Sequence, residues 1–227
     1  RVERFRMSGA MSRIDFDNPL DLVAVYTRAM MLGLVWKPDP RRVLVLGLGG
    51  GRLAMILHHY YPEAVIDCVE IDPAVVDIAE TYFALKRDHR LLVFIQDGRE
   101  FVETLPDNER YDIILVDCFT GPGHHPGRLA TIDFYRTCRE HLTTGGVLAT
   151  NIHASDEQFA IKAATLRASF EHAGCFSNTD ADILYGWDGV PFDREAFMHA
   201  ADAIQNEMRF LFPLDRLAVH VRALGSG

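Results

Sequence analysis

Gly47, Gly49, Gly50 and Gly51 stand between the apolar run 43–46 and a stretch of helical apolar spacing that opens at Arg52. Glycines in that place let the backbone approach a ligand closely, and the helix behind them offers unpaired N–H groups. The same residues also serve a plain tight turn from strand to helix. A dinucleotide fingerprint, counted G-x-G-x-x-G from Gly47, needs Gly or Ala at position 52. Arg52 stands there instead, which argues against a pyrophosphate and for a smaller nucleoside. Glu70 ends the next apolar run, 23 residues after Gly47 (70 − 47). That spacing suits an acid that accepts hydrogen bonds from ribose hydroxyls. Ile71 follows at the same strand end, and Asp72, ahead of Pro73, suits a helix cap.

Gln96-Asp97-Gly98 closes a third apolar run. Asp97 can accept from the exocyclic amine of adenine or cap the helix behind it. Its place beside Glu70 favours the first role, with Gly98 in the same turn. Asp117 closes a fourth run, at the strand end where ligands bind in parallel sheets. A carboxylate there can orient an amine nucleophile, accept its proton and favour approach of a sulfonium. The Gly- and Pro-rich segment 118–126 behind it reads as a lid. His124 and His125 are neighbours without an i, i+4 partner, so they read as exposed loop histidines and no metal site is expected.

Positioning these groups takes a repeat of strand and helix. Strands are predicted at 43–46, 64–71, 91–95, 111–116 and 147–151, and helices at 52–61, 73–85, 99–105, 132–142 and 155–173. A strand near 176–179, a helix over 194–210 and a strand over 217–222 complete the pattern. Continuous apolar runs belong to strands buried on both faces. The alternation predicts an α/β fold: a doubly wound, mostly parallel, seven-stranded Rossmann-like sheet with helices on both faces. Residues 1–40 read as an N-terminal appendage, with an edge strand near 2–7 and a helix over 22–36. Asn18 or Asp21 would cap that helix, and Pro38 and Pro40 would stop it. Residues 41–227 would form the nucleoside-binding catalytic domain.

The bulk numbers agree with one such core. Of 227 residues 48% are apolar, and the formal charge is −9 without a Lys/Arg cluster, which argues against nucleic acid as a partner. No apolar run approaches the ~18–20 residues that span a membrane, and no signal peptide is visible. Cys68, Cys118, Cys138 and Cys175 form no C-x-x-C pair and read as free thiols, so a reducing, cytoplasmic location is expected. Arg1 rather than Met opens the chain, which is compatible with a start further upstream.

Taken together, residues 42–153 resemble the spermidine synthase (polyamine aminopropyltransferase) family, a branch of the class I methyltransferase-like fold. The matching motifs are Val43-Leu44-Val45-Leu46-Gly47, Val69-Glu70-Ile71-Asp72, Gln96-Asp97-Gly98-Arg99, the run 111–117 and Phe134-Tyr135 followed by Leu142 and Gly145-Gly146-Val147. The resemblance implies that Glu70 binds ribose, Asp97 adenine, and that Asp117 is the catalytic carboxylate. It implies S-adenosylmethionine or its decarboxylated form as donor, leaving S-adenosylhomocysteine or methylthioadenosine, a small-molecule amine as acceptor, and a homodimer. Departures stand beside it. The family's glycine loop reads G-G-G-D-G-G, and its Asp, which holds the donor's propylamine, falls on Gly50. The family's second acid, for the polyamine, falls on Thr120. The Y-H-E-M-like segment survives as Tyr26, with Arg28 where an acid would sit. The N-terminal hairpin domain is short or absent.

The leading expectation is therefore aminopropyl transfer from a decarboxylated S-adenosylmethionine-type sulfonium to an amine. A methyltransferase on the same scaffold is the alternative, and a non-catalytic nucleoside-binding domain the third. Arg52 can face the methionine carboxylate of an intact donor, or lie on an exposed helix face. Its presence disfavours a dehydrogenase.

Overall fold

Val43 and Val45 join one buried cluster and Leu44 and Leu46 join another, so consecutive side chains of a single strand enter two different cores. A strand alternates its side chains between two faces, and here both faces are covered. A computed structural model describes residues 2–6, 10–119, 125–153, 156–179 and 181–225. Strands β1 (Val2–Arg6) and β2 (Ala10–Asp15) pair antiparallel as a small separate sheet. Helix α1 (Val25–Met30) runs on into a 3-10 turn, Met31–Val35. The repeat then follows as β3 (Arg42–Leu46), α2 (Arg52–Tyr60), β4 (Val65–Glu70), α3 (Pro73–Tyr82), β5 (Leu91–Ile95), α4 (Gly98–Glu103) and β6 (Tyr111–Val116). It continues through α5 (Ile132–Glu140), β7 (Leu142–Asn151), α6 (Phe159–Ser169), β8 (His172–Ser177), β9 (Asp182–Trp187), α7 (Arg194–Met208), α8 (Leu214–Ala218) and β10 (Val221–Ala223).

The large sheet has the order β10-β8-β9-β7-β6-β3-β4-β5. Strands β7, β6, β3, β4 and β5 are parallel, and β9, β8 and β10 join antiparallel at one side. Leu53, Ile56 and Leu57 of α2, Val76 and Ala79 of α3, and Phe197, Ala201 and Ile204 of α7 fill the Val43 face. Val102 of α4, Phe134, Tyr135 and Cys138 of α5, and Leu166 of α6 fill the Leu44 face. The doubly wound reading holds. Chain direction across the sheet reverses between β3 and β6, and the carboxyl ends of those two strands flank the crevice where such sheets bind ligands.

The sheet has eight strands, not seven. The sequence pattern missed β9 and ran a helix over 155–173 into what is the start of β8. Gly174 misled it: a helix-ending glycine in the pattern, it is a strand glycine whose added Cβ would meet Arg222 O at 3.2 Å and the Trp187 ring at 3.3 Å. Residues 214–218 form a helix, leaving 221–223 as the last strand. The helix expected over 22–36 is a short α1 plus a 3-10 turn, and Ala24 precedes it without a side-chain cap. Asp21 pairs with Arg28 instead.

One polar group is sunk into the sheet. Asp67 on β4 is fully buried and accepts from the Arg42 guanidinium at 2.8 and 3.1 Å and from the Tyr111 hydroxyl at 2.9 Å. Asp67→Ala leaves that buried hydroxyl without its acceptor. The expected cost is about 1–3 kcal/mol, read as a lower urea midpoint at unchanged m-value.

Candidate active site

Three backbone hydrogen bonds carry the sheet ladder past the ends of its strands. Asp117 N–H donates to Leu46 O at 2.8 Å, Gly47 N–H to Val69 O at 2.8 Å, and Gln96 N–H to Glu70 O at 3.0 Å. They draw Gly47, Glu70, Asp97 and Asp117 to one edge. At Gly47 the approach is so close that an added Cβ would lie 2.3 Å from Asp117 O, and its φ of +88° favours glycine as well.

The Glu70 carboxylate is buried and organises the turn. It accepts from Leu48 N–H at 3.0 Å and Asp72 N–H at 3.1 Å. Ile71 beside it is 64% exposed, an apolar shelf at the mouth. Asp97 does cap α4, accepting from Arg99 and Glu100 N–H at 3.0 and 3.1 Å, and its other oxygen accepts from the exposed Arg128 at 2.8 Å. Gly98 follows in the first turn of α4, its Cα facing Leu46.

Asp117 accepts from Asn151 Nδ2 at 2.9 Å and is also hydrogen-bonded by Tyr26. Burial pushes its carboxyl up to about 6, further raised by the nearby Glu70 charge and partly offset by those two hydrogen bonds. A carboxyl tuned to that range exchanges a proton near neutral pH. Asn151 escaped the sequence reading, although a polar residue closing the apolar run 147–150 was its signal.

Two expectations are corrected. Arg52 does not lie on an exposed helix face. It is 4% exposed, and its guanidinium donates to the carbonyls of Pro19 and Asp21. His125 is buried, not exposed: its ring nitrogen Nε2 meets Thr150 Oγ1 at 3.3 Å, and its carbonyl accepts from Lys162, which pairs with Asp156 at 2.6 Å. Burial and the Lys162 charge push its pKa down to about 4, so the ring is neutral. Thr120 and His124 lie outside the described residues. Among the described residues no cluster of metal-ligating side chains occurs, and no helix is long and apolar enough to cross a membrane.

The N-terminal hairpin contributes residues that spacing did not reveal. Ser12 Oγ on β2 accepts from Gly50 N–H at 2.7 Å. Ser12, Arg13, Tyr26, Gly47, Leu48, Arg52 and Asp117 share one cleft. Across the turn, an added Cβ on Gly50 would meet the Phe83 ring at 2.6 Å. The place of the family's loop acid is therefore filled by a buried aromatic side chain.

Sheet order, glycine turn and acids at successive strand ends define a methyltransferase-type Rossmann-like fold. Residues 24–171 match the family described as "Spermine/spermidine synthase domain", and the chain belongs to that family. It is 35% identical over 159 residues to a polyamine aminopropyltransferase of Vibrio vulnificus, covering 69% of this chain and 53% of that protein. It is 32% identical over 155 residues to an eEF1A lysine and N-terminal methyltransferase of Xenopus laevis, covering 62% of this chain and 22% of that one. The chain spans about half the length of the curated aminopropyltransferases it matches. Human methyltransferase-like protein 13, solved in complex with SAH, superposes with a TM-score of 0.75 at 26% identity, over 81% of this chain and 91% of that one.

Gly50→Ala forces the Phe83 ring to move. A loss of about 1–3 kcal/mol is expected, measured by denaturant unfolding. The paired Gly50→Ala, Phe83→Leu variant should recover part of it.

Proposed function

We propose that this chain is a transferase that moves an alkyl group from an S-adenosyl sulfonium to an amine. The leading form is the aminopropyl transfer named in its bacterial relatives. The observation that carries the reading is Asp117: a carboxyl raised to about 6, fixed by Asn151 and Tyr26, at the strand end beside Glu70.

The residues fit the adenosyl group. Glu70 turns both oxygens to backbone N–H groups, and carboxylate oxygens keep further lone pairs for ribose hydroxyls. The exposed Ile71 offers an apolar shelf that a flat base would cover. Asp97 Oδ2, on the mouth side of its cap, accepts from the adenine amine while Arg128, 53% exposed, shares it or swings away. Gly47, Gly49 and Gly51, all at positive φ, bring backbone rather than side chains to the donor.

When bound, the donor supplies an electrophilic carbon that passes to the amine as its bond to sulfur breaks and a neutral thioether leaves. Asp117 orients the amine lone pair, takes the proton released as the new C–N bond forms, and lowers the cost of positive charge near it. Tyr26 and Asn151 hold the carboxylate in place. Positioning of the two partners accounts for much of the rate.

A second reading, methyl transfer, is favoured by one observation: the acid that would hold a propylamine is replaced by Gly50 packed on Phe83.

Asp117→Asn should lower kcat by about 10²–10⁴-fold and leave methylthioadenosine affinity nearly unchanged. Loss of nucleoside affinity, with turnover intact, would refute the role. The base must be deprotonated, so kcat/KM should rise with pH through about 6 and then level off. The stability sign is opposite to that of a salt-bridged Asp. A folded pKa above the ordinary 3.8 means stability declines as pH rises from about 4 to 6, so Asp117→Asn should be the more stable protein at pH 7.

A further inference from the structure

The cleft beside Gly47 carries two guanidinium groups, Arg13 and Arg52. Arg13 follows Ser12 on β2, and the Ser12 hydroxyl holds Gly50 N–H at 2.7 Å, so this strand is pinned against the glycine turn. Among the described residues the Arg13 guanidinium makes no hydrogen bond or ion pair, and its charge is felt at the Tyr26 hydroxyl. Arg52 is buried and hydrogen-bonded through its terminal nitrogens, yet its Nε–H is buried without a partner. A half-buried unpaired cation beside an unsatisfied buried guanidinium N–H is a place for an anion, because a buried polar group without a partner is costly. The opposite provision, an acid for an ammonium, is missing from the turn: Gly50 stands there and Phe83 fills the space beyond it. The negative groups of the site, Glu70 and Asp117, lie at strand ends and already hold backbone or side-chain partners.

We infer that Arg13, with Arg52 Nε behind it, binds the α-carboxylate of an intact S-adenosylmethionine-type donor, so that the donor carries its carboxylate. This rests on the nucleoside site proposed above and, of the two transfers given there, selects methyl transfer, because an intact donor has no aminopropyl group to give. A donor without that carboxylate would bring an ammonium into a cleft where, among the described residues, Asp117, already held by Asn151 and Tyr26, is the one acid against two guanidinium groups.

The test is calorimetric titration with S-adenosylmethionine, its decarboxylated form and methylthioadenosine, repeated on Arg13→Gln and Arg13→Lys. The intact donor should bind at least about tenfold tighter than the decarboxylated one. Arg13→Gln should weaken the intact donor by about 10–100-fold, the usual effect of losing a charge-assisted hydrogen bond, and Arg13→Lys by less. Methylthioadenosine, which has no charged tail, should bind all three proteins alike. Equal or tighter binding of the decarboxylated donor overturns the inference, as does an Arg13→Gln protein that keeps full affinity for the intact one. Loss of methylthioadenosine binding in both variants would mark Arg13 as part of the fold and overturn its assignment. If methylthioadenosine fails to bind the unaltered protein, the nucleoside site itself is wrong and this inference falls with it.

Discussion

The pairing of Asp117 N–H with Leu46 O is the contact on which the site depends. It extends the β3–β6 ladder one step beyond the strands and leaves no room between Gly47 and Asp117 for any side chain. Everything else is placed relative to that seam. Glu70 arrives by the β3–β4 ladder and Asp97 by the β4–β5 ladder, each one strand further out. Asn151 arrives on β7 from the other side. A rigid hydrogen-bonded sheet thus turns residues spread from 47 to 151 into neighbours, with no loop contact needed to bring them together.

Burial of Asp117 sets its ionised form against the stability of the sheet that holds it. An ordinary surface Asp would be fully ionised and inert as a base near pH 7. Lack of solvent raises the carboxyl, and Asn151 and Tyr26 recover part of that effect by hydrogen bonding. The balance leaves a group able both to hold and to release a proton, a common arrangement where a site sacrifices stability.

Much of this arrangement was legible in the sequence, for physical reasons that can be named. Parallel strands buried on both faces leave continuous apolar runs, so β3, β4, β5 and β6 were found with the polar residues closing them. The antiparallel side was not. His172-Ala173-Gly174 has the small and apolar residues of a helix end, and only the packing of Trp187 shows why a strand glycine is needed there. Side chains that act through tertiary contact were also hidden. Arg52 looked like a helix-face residue until the carbonyls of Pro19 and Asp21 met it, and His125 looked exposed until Lys162 and Thr150 enclosed it. Ser12 and Arg13 sit in an ordinary alternating strand, and nothing in their spacing relates them to Gly50, 38 residues on.

The central pairing has a kinetic consequence. Val43 pairs with Ile113, 70 residues away, and closing a loop of that length costs roughly 4 kcal/mol of chain entropy by the (3/2)RT ln n rule. Contacts within β3–β4–β5 close over about 23 to 25 residues, as Val43 with Ile66 and Ile66 with Leu91 do. High contact order of this kind slows folding. The half of the sheet bearing Glu70 and Asp97 is therefore the more local assembly, while Asp117 joins it across the longest closure. Glu70 and Asp97 thus lie on the locally closed side of the sheet and Asp117 on the distant one, and the seam between Gly47 and Asp117 is where the two meet.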